Sequence, residues 1–193
     1  LKYDFRFPPD RLDTLRKAGI GLVSLANNHA MDAGSEGLLD GMGKLEQAGI
    51  PFIGAGANET AACRPWRNLD LAVFGICIVG GGAAGPDTPG IAMLPDHAEL
   101  LENEFKRARA SGETVVVILH GGDEYQPQVN DDQRHWARWL SARGVSVIAG
   151  AHPHVTQRTE IHAGTTILHS LGNAVYPTRS EEHTSELQSH HPI

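Results

Sequence analysis

Apolar residues follow two rhythms along this chain. Four short runs are apolar almost without interruption: "IGLVSLA" (20–26), "LAVFGICIV" (71–79), "TVVVILH" (114–120) and "VSVIAG" (145–150). A run of that length without strict alternation is what a strand buried on both faces looks like, as in a parallel sheet. Between them the spacing changes to three and four. Leu38, Met42 and Leu45 share one helical face, as do Leu101, Phe105 and Ala108, and then Trp136 and Leu140. Punctuation agrees with these helices. "PPDRLDTLRKAG" (8–19) opens on Pro-Pro, places Asp10 at a plausible N-cap and stops at Gly19. Ser35 is the candidate cap of the helix that Gly49 ends, and Asn130 with Gln133 predicts a capping box for the helix that Gly144 ends. The segment 156–176 reads as a hairpin turning at Ala163-Gly164, and the Gly- and Pro-rich stretch 80–95 as a long loop. Helices alternating with buried strands predict an α/β layered fold with one antiparallel flank near the end.

Composition narrows the function classes. Of 193 residues, 40% are hydrophobic and 20% charged, which suits a globular domain with a sizeable core. A net charge of −7 argues against nucleic acid as partner, because phosphate binding needs concentrated Lys and Arg. No apolar run approaches the ~20 residues of a membrane span. Cys63 and Cys77 are too few for a disulfide framework and read as small residues in or near the core. The chain begins at Leu1, so it reads as a fragment. The end, "RSEEHTSELQSHHPI", has no apolar periodicity; residues 180–193 look like a non-native tail, and His183, His190 and His191 are discounted as ligands.

In a layered α/β fold the ligand site collects at the carboxyl ends of strands. Asn28 and His29 follow the strand 20–26, His120, Asp123 and Glu124 follow 114–119, and His152 and His154 follow 145–149. Three strand ends thus each release histidine, two of them with oxygen donors nearby. In "GAHPHV" (150–155), Pro153 fixes its own φ and biases Ala151–His152 toward extended geometry, presenting two imidazoles on one tight loop. Neutral imidazole is a common ligand for Zn, Mn or Fe; the plain alternative is a surface turn with two solvated histidines. Gly121 and Gly122 after His120 let the backbone approach something closely. Glu124 reads as a ligand, as a partner orienting an imidazole, or as a solvated loop residue. In "NNHAMD" (27–32), either asparagine caps the following helix, or its amide oxygen joins the site. In the second case His29, with Asp32 three residues on to hold its tautomer, is a plausible general acid.

Two other signals fail. Gly80, Gly82 and Gly85 match G-x-G-x-x-G, but Pro86 and Pro89 prevent a helix from opening on a pyrophosphate there. Ser170 in "LHSLGN" lacks the leading glycine of a nucleophile elbow.

The ordered set "SLANNHAMDAGSEGL", "IPFIGAGAN", "LHGGDEY", "GAHPHV" and "HSLGN" resembles the bacterial capsule-synthesis (CapA-like) family, over residues 3 to 176. That family, which includes the membrane-anchored subunit of poly-γ-glutamate synthesis, looks like a branch of the calcineurin-like metallophosphoesterases. The resemblance implies a four-layer α/β/β/α sandwich, here a partial domain over 1–179, cut at its N-terminal strand and near its C-terminus. It places Asn28 as ligand of a second metal, His29 as the adjacent general acid, His120 as the lone metal-binding histidine and His152 with His154 as the closing pair. Asp32 is displaced from the superfamily's Asn-His-Asp, and the bridging aspartate falls before Leu1. Asn27 and Asn173 are expected to line the substrate pocket. Two divalent ions (Mn, Fe or Zn) are implied for the intact protein, acting on an acidic polymer or phosphoester. So are membrane synthase partners and a location in the cell envelope, membrane-associated and extracytoplasmic. A non-catalytic, metal-stabilised polymer-handling subunit is the competing expectation, and cleavage or transfer of a γ-glutamyl amide a weaker third.

Overall fold

A computed structural model describes residues 11–174. The expected tail at 180–193 and the candidate cap Asp10 lie outside the described residues. Among the described residues fifteen elements follow one another: α1 (Leu12–Lys17), β1 (Val23–Ser24), α2 (Gly34–Gln47), β2 (Phe52–Ile53), β3 (Ala55–Gly56), α3 (Glu59–Ala62), β4 (Trp66–Asn68), β5 (Leu71–Cys77), β6 (Gly90–Ile91), α4 (Ala98–Ala110), β7 (Thr114–His120), α5 (Asp131–Ser141), β8 (Val147–Ala151), β9 (Thr159–His162) and β10 (Thr165–Leu168).

The central sheet has six strands in the order β4-β5-β7-β8-β10-β9. Its four inner strands run parallel, and β4 and β9 close it as short antiparallel edges. Two small pairs stand beside it, β1 with β2 in parallel and β3 with β6 antiparallel. The predicted α/β layering with an antiparallel flank is therefore present.

Alternation along β7 separates two environments. Val115, Val117 and Leu119 are buried against Leu101, Phe105 and Ala108 of α4 and Ala137 and Leu140 of α5. Ile118 and His120, on the opposite face, are only partly covered and open onto a cavity. A second apolar cluster joins Leu38 of α2 to Ala26, Ala55, Cys77, Ile91 and Met93, with Met42 packed against it. Helices α2, α4 and α5 thus turn inward the stripe their spacing announced, with Met42 and Trp136 partly buried at its edge, whereas α1 buries no residue. Both cysteines are buried and free, and burial pushes the Cys63 thiol up to about 12, so neither is a poised nucleophile.

Several expectations need correction. The strand expected at 20–26 shrinks to Val23–Ser24, the two residues that pair in register with Phe52 and Ile53, with Leu25 N–H adding a last bond to Ile53 O at 2.9 Å. Ser35 does not cap α2. That helix begins at Gly34 after Ala33, with no side-chain cap, so Ser35 lies inside the first turn and neither Asn27 nor Asn28 caps it. The stretch 80–95 is not simply a loop: it contains β6, and Ile91, Ala92 and Leu94 are fully buried. Its glycines serve contact rather than phosphate. A Cβ at Gly82 would lie 2.5 Å from Met31 Cγ, and one at Gly80 would lie 3.0 Å from Asn28 Cβ, so the loop packs directly under the "NNHAM" segment.

The hairpin turns where expected, with Ala163 (φ 48°) and Gly164 (φ 85°) both left-handed, as a two-residue turn of this hand requires. The capping box of α5 is complete: Gln133 N–H donates to Asn130 Oδ1 (2.9 Å) and Asn130 N–H to Gln133 Oε1 (3.1 Å). Asn130→Ala should lower stability by about 1 kcal/mol, read from the urea midpoint. An unchanged midpoint would mean that packing of α5 alone fixes its start.

Candidate functional site

Three backbone segments reach one cavity of about 360 Å³, lined by Ser24, Ala26, Asn27, Asn28, His29, Ile118, His120, Glu124, Ala151, His152 and His154. They leave β1, β7 and β8 at their carboxyl ends, the position where side chains of neighbouring parallel strands converge. His120 is the last residue of β7 and pairs in register with Ala151 of β8, so His152 begins one step beyond it. The two rings lie 4.8 Å apart between centroids.

The asparagine-histidine segment is built as a series of local turns. Asn27 Oδ1 accepts the backbone N–H of His29 at 2.9 Å, which bends the chain back after β1. Asn28 then faces inward, where its Oδ1 accepts from His120 Nε2 at 2.9 Å. His29 Nδ1 donates to Asp32 Oδ2 at 2.9 Å, and Asn28 Nδ2 lies 3.3 Å from His29 Nε2. Asp32 is absent from the cavity wall and acts through His29. Three residues beyond His29, it still reaches Nδ1 and sets that ring's tautomer.

His120 is mostly buried, and desolvation, reinforced by the nearby His152, His154 and His29, holds its pKa down at about 4. It is neutral near pH 7. Burial also pushes His152 down, opposed by the Glu124 carboxylate. Glu124 therefore shares the cavity with His152 and is felt by it, though no hydrogen bond joins them. Gly121 and Gly122 allow the close approaches their sequence suggested. A Cβ at Gly121 would lie 2.1 Å from Ile78 Cγ1, and one at Gly122, with φ at 116°, 2.6 Å from the Gln133 amide carbon.

The His-Pro-His loop departs from the extended geometry expected before Pro153. His152 has φ of 102° and His154 of 61°, both in the left-handed region that non-glycine residues avoid. The chain must fold back sharply after β8 for both rings to line the cavity, and this strain is what that turn costs. Asn173 also stands elsewhere than expected. It is not on the cavity wall; its Oδ1 accepts from His154 Nδ1 at 2.9 Å.

Ser24 escaped the reading of the sequence. Its Oγ is buried and without a hydrogen-bond partner among the described residues, yet Ser24 lines the cavity. A serine inside an apolar run gives no signal by itself. Only its packing against Gly75 of β5, where a Cβ would come within 2.6 Å of the hydroxyl, places it.

As donors for a metal ion these groups form a pair and two flanking rings rather than a closed cage. Among the described residues no group of three or more His, Cys, Asp or Glu side chains is gathered as an ion-binding cluster. Asn28 Oδ1 and His120 Nε2, however, stand 2.9 Å apart, about the separation of adjacent ligands on one ion with bonds near 2.1 Å. The rings of His120 and His152 lie 4.8 Å apart between centroids and those of His152 and His154 6.2 Å apart, so the three imidazoles form a row along the cavity.

The family model "Bacterial capsule synthesis protein PGA_cap" matches residues 1–178. The "PGA biosynthesis protein CapA" of Bacillus subtilis is 34% identical over 174 residues, covering 86% of this chain and 45% of that protein. The "Capsule biosynthesis protein CapA" of Bacillus anthracis is 29% identical over 178 residues, covering 86% and 43%. A "probable polyglutamine synthesis accessory protein" of Mycobacterium tuberculosis is 27% identical over 186 residues, covering 89% and 49%. The chain spans less than half the length of these curated relatives, and no described helix is long and apolar enough to cross a membrane. With a family match over nearly its whole length, the chain belongs to the bacterial capsule synthesis protein PGA_cap family.

Proposed function

We propose that this chain carries the metal-dependent, phosphoesterase-like site of a capsule or poly-γ-glutamate synthesis protein of the bacterial cell envelope. The observation that carries the reading is the convergence of Asn28, His29, His120, His152 and His154 on one cavity from three strand ends. A central parallel sheet covered by α4 and α5, with small strand pairs and α2 beyond, is compatible with a four-layer sandwich of the metallophosphoesterase kind.

Divalent metal (Mn, Fe or Zn) would be held by Asn28, His120, His152 and His154, with Glu124 beside them; a second ion would require donors beyond this set. When bound, such an ion polarises a phosphoryl oxygen and lowers the pKa of bound water. The chain's own groups do the rest. The depressed pKa of His120 keeps that ring neutral, and an ion shared with Asn28 Oδ1 would take the place of the Nε2 proton that this oxygen accepts, the proton shifting to Nδ1. Asp32 holds His29 by Nδ1, so the proton exchanged with a substrate travels through Nε2, beside Asn28. The orphan hydroxyl of Ser24 would gain a partner from an oxygen in the cavity. Poly-γ-glutamate and phosphoesters are both anionic, and the chain carries −7, so an ion in the cavity would also offset repulsion of the substrate.

The test is Mn²⁺-dependent hydrolysis of an activated phosphodiester by the full-length protein. His29→Ala should lower kcat by about 10²- to 10⁴-fold while Mn²⁺ affinity, by calorimetry, stays within a few-fold. Metal binding without turnover, with polymer synthesis needing the protein only alongside membrane subunits, would establish the accessory role that the mycobacterial relative's name describes.

A further inference from the structure

The motif "SLGN" (170–173) sits outside the cavity wall, yet its residues are tied one after another to the His-Pro-His loop. Ser170 Oγ donates to Val155 O at 2.7 Å and accepts from Gly172 N–H at 3.2 Å. Gly172, with φ of 70°, passes close to Thr156; a Cβ there would lie 3.3 Å from both Thr156 N and Cγ2. This brings Asn173 Oδ1 to 2.9 Å from His154 Nδ1, where it accepts the ring N–H. On the other side Tyr125 stacks on the same imidazole, with centroids 5.5 Å apart and planes 24° from parallel. Tyr125 is itself left-handed (φ 59°), and its backbone N–H donates to Pro153 O at 2.8 Å. Two strained residues on separate loops, Tyr125 and His154, are therefore held by a shared set of contacts.

We propose that Ser170, Gly172, Asn173 and Tyr125 form a clamp that fixes the orientation and tautomer of His154, leaving its Nε2 as the acceptor nitrogen. Asn173 and Tyr125 are positioning residues. A ring with Nδ1–H engaged by an amide oxygen carries its lone pair on Nε2, the nitrogen free to bind an ion or accept from a substrate. His29 with Asp32 uses the same device, so the cavity carries two imidazoles each pinned through Nδ1 by an oxygen. The value of the clamp to function rests on the metal-dependent reading above, but its existence does not.

The experiment is nitrogen NMR of the full chain with ¹⁵N-labelled histidine, metal-free and at a pH where the ring is neutral, followed by titration with Zn²⁺ alone. Two-bond nitrogen–proton couplings distinguish the tautomers. Wild-type His154 should be in the Nδ1–H form. Asn173→Leu should shift it toward a mixture or the Nε2–H form, and Asn173→Asp, which keeps an acceptor, should restore Nδ1–H. Zn²⁺ affinity should fall about 10-fold or more in Asn173→Leu and recover in Asn173→Asp. A wild-type His154 in the Nε2–H form would overturn the clamp whether or not Asn173→Leu folds, as would an unchanged tautomer in a folded Asn173→Leu. A pinned Nδ1–H ring in a protein that binds no Zn²⁺ would support the clamp and refute the ion-binding role.

Discussion

Gly150→Ala should destabilise the protein by about 3 kcal/mol or more, among the largest single effects available to a methyl group. A Cβ built on Gly150 would lie 1.9 Å from the carbonyl oxygen of His169 and 2.9 Å from that of Leu168. Both are backbone atoms of the segment that ends β10, so no side-chain rotation relieves the clash. β8 and β10 would have to separate where they run parallel in the sheet centre, with the Leu171 N–H bond to Gly150 O (3.0 Å) strained as well. The measurement is the urea midpoint, with Gly41→Ala as comparator. Gly41 lies inside α2, and a Cβ there meets nothing within 4 Å. That variant should gain about 0.5–1 kcal/mol from helix propensity. Equal and small effects from both would mean that the sheet accommodates a wider β8–β10 spacing.

His120→Ala should lower affinity for Mn²⁺ or Zn²⁺ by at least about 100-fold, since loss of a direct donor exceeds the 10–100-fold typical of outer partners. His120 is the hub of the cavity: it donates to Asn28, faces His152 and feels the charges of His152, His154 and His29. The same change leaves Asn28 Oδ1 without its partner in a part-buried place, so about 1–3 kcal/mol of stability should go with it. Calorimetric titration reads the first effect and thermal unfolding without metal the second. Unchanged metal affinity would place any ion away from the Asn28–His120 pair.

The elements legible in the sequence were those with long periodic patterns. α2, α4 and α5 bury the residues named from spacing alone, and β5 and β7 begin where the apolar runs do. The short pieces were not legible. β2, β3 and β6 have two residues each, too few for any period, and exist because tertiary contact supplies their partners. The site was readable as a set of strand ends, because histidine at the close of an apolar run is conspicuous. Its internal wiring was not. That Asn27 builds a turn, that Asn173 holds His154 instead of lining the cavity, and that Ser24 contributes at all depend on register between distant segments. The left-handed His152 ran against the local rule for a residue before proline, at a place where the fold demands a fold-back.

Asn28 and His29 ride on the small β1–β2 pair, whereas His120 and His152 belong to the six-stranded sheet. The two bodies meet at Gly54 and Gly75, where an added Cβ on Gly54 would lie 2.9 Å from Gly75 O and one on Gly75 would lie 2.6 Å from Ser24 Oγ. The cavity is therefore a joint between two strand systems, linked through Ala92, whose N–H donates to Gly54 O and whose carbonyl accepts from Cys77 N–H, and closely packed at Gly75. Among related chains, a full complement of asparagine and histidines would be a poor guide to competence on its own. A bulkier residue at 75 would leave every asparagine and histidine of the site in the sequence, yet press the β1–β2 pair away from the six-stranded sheet.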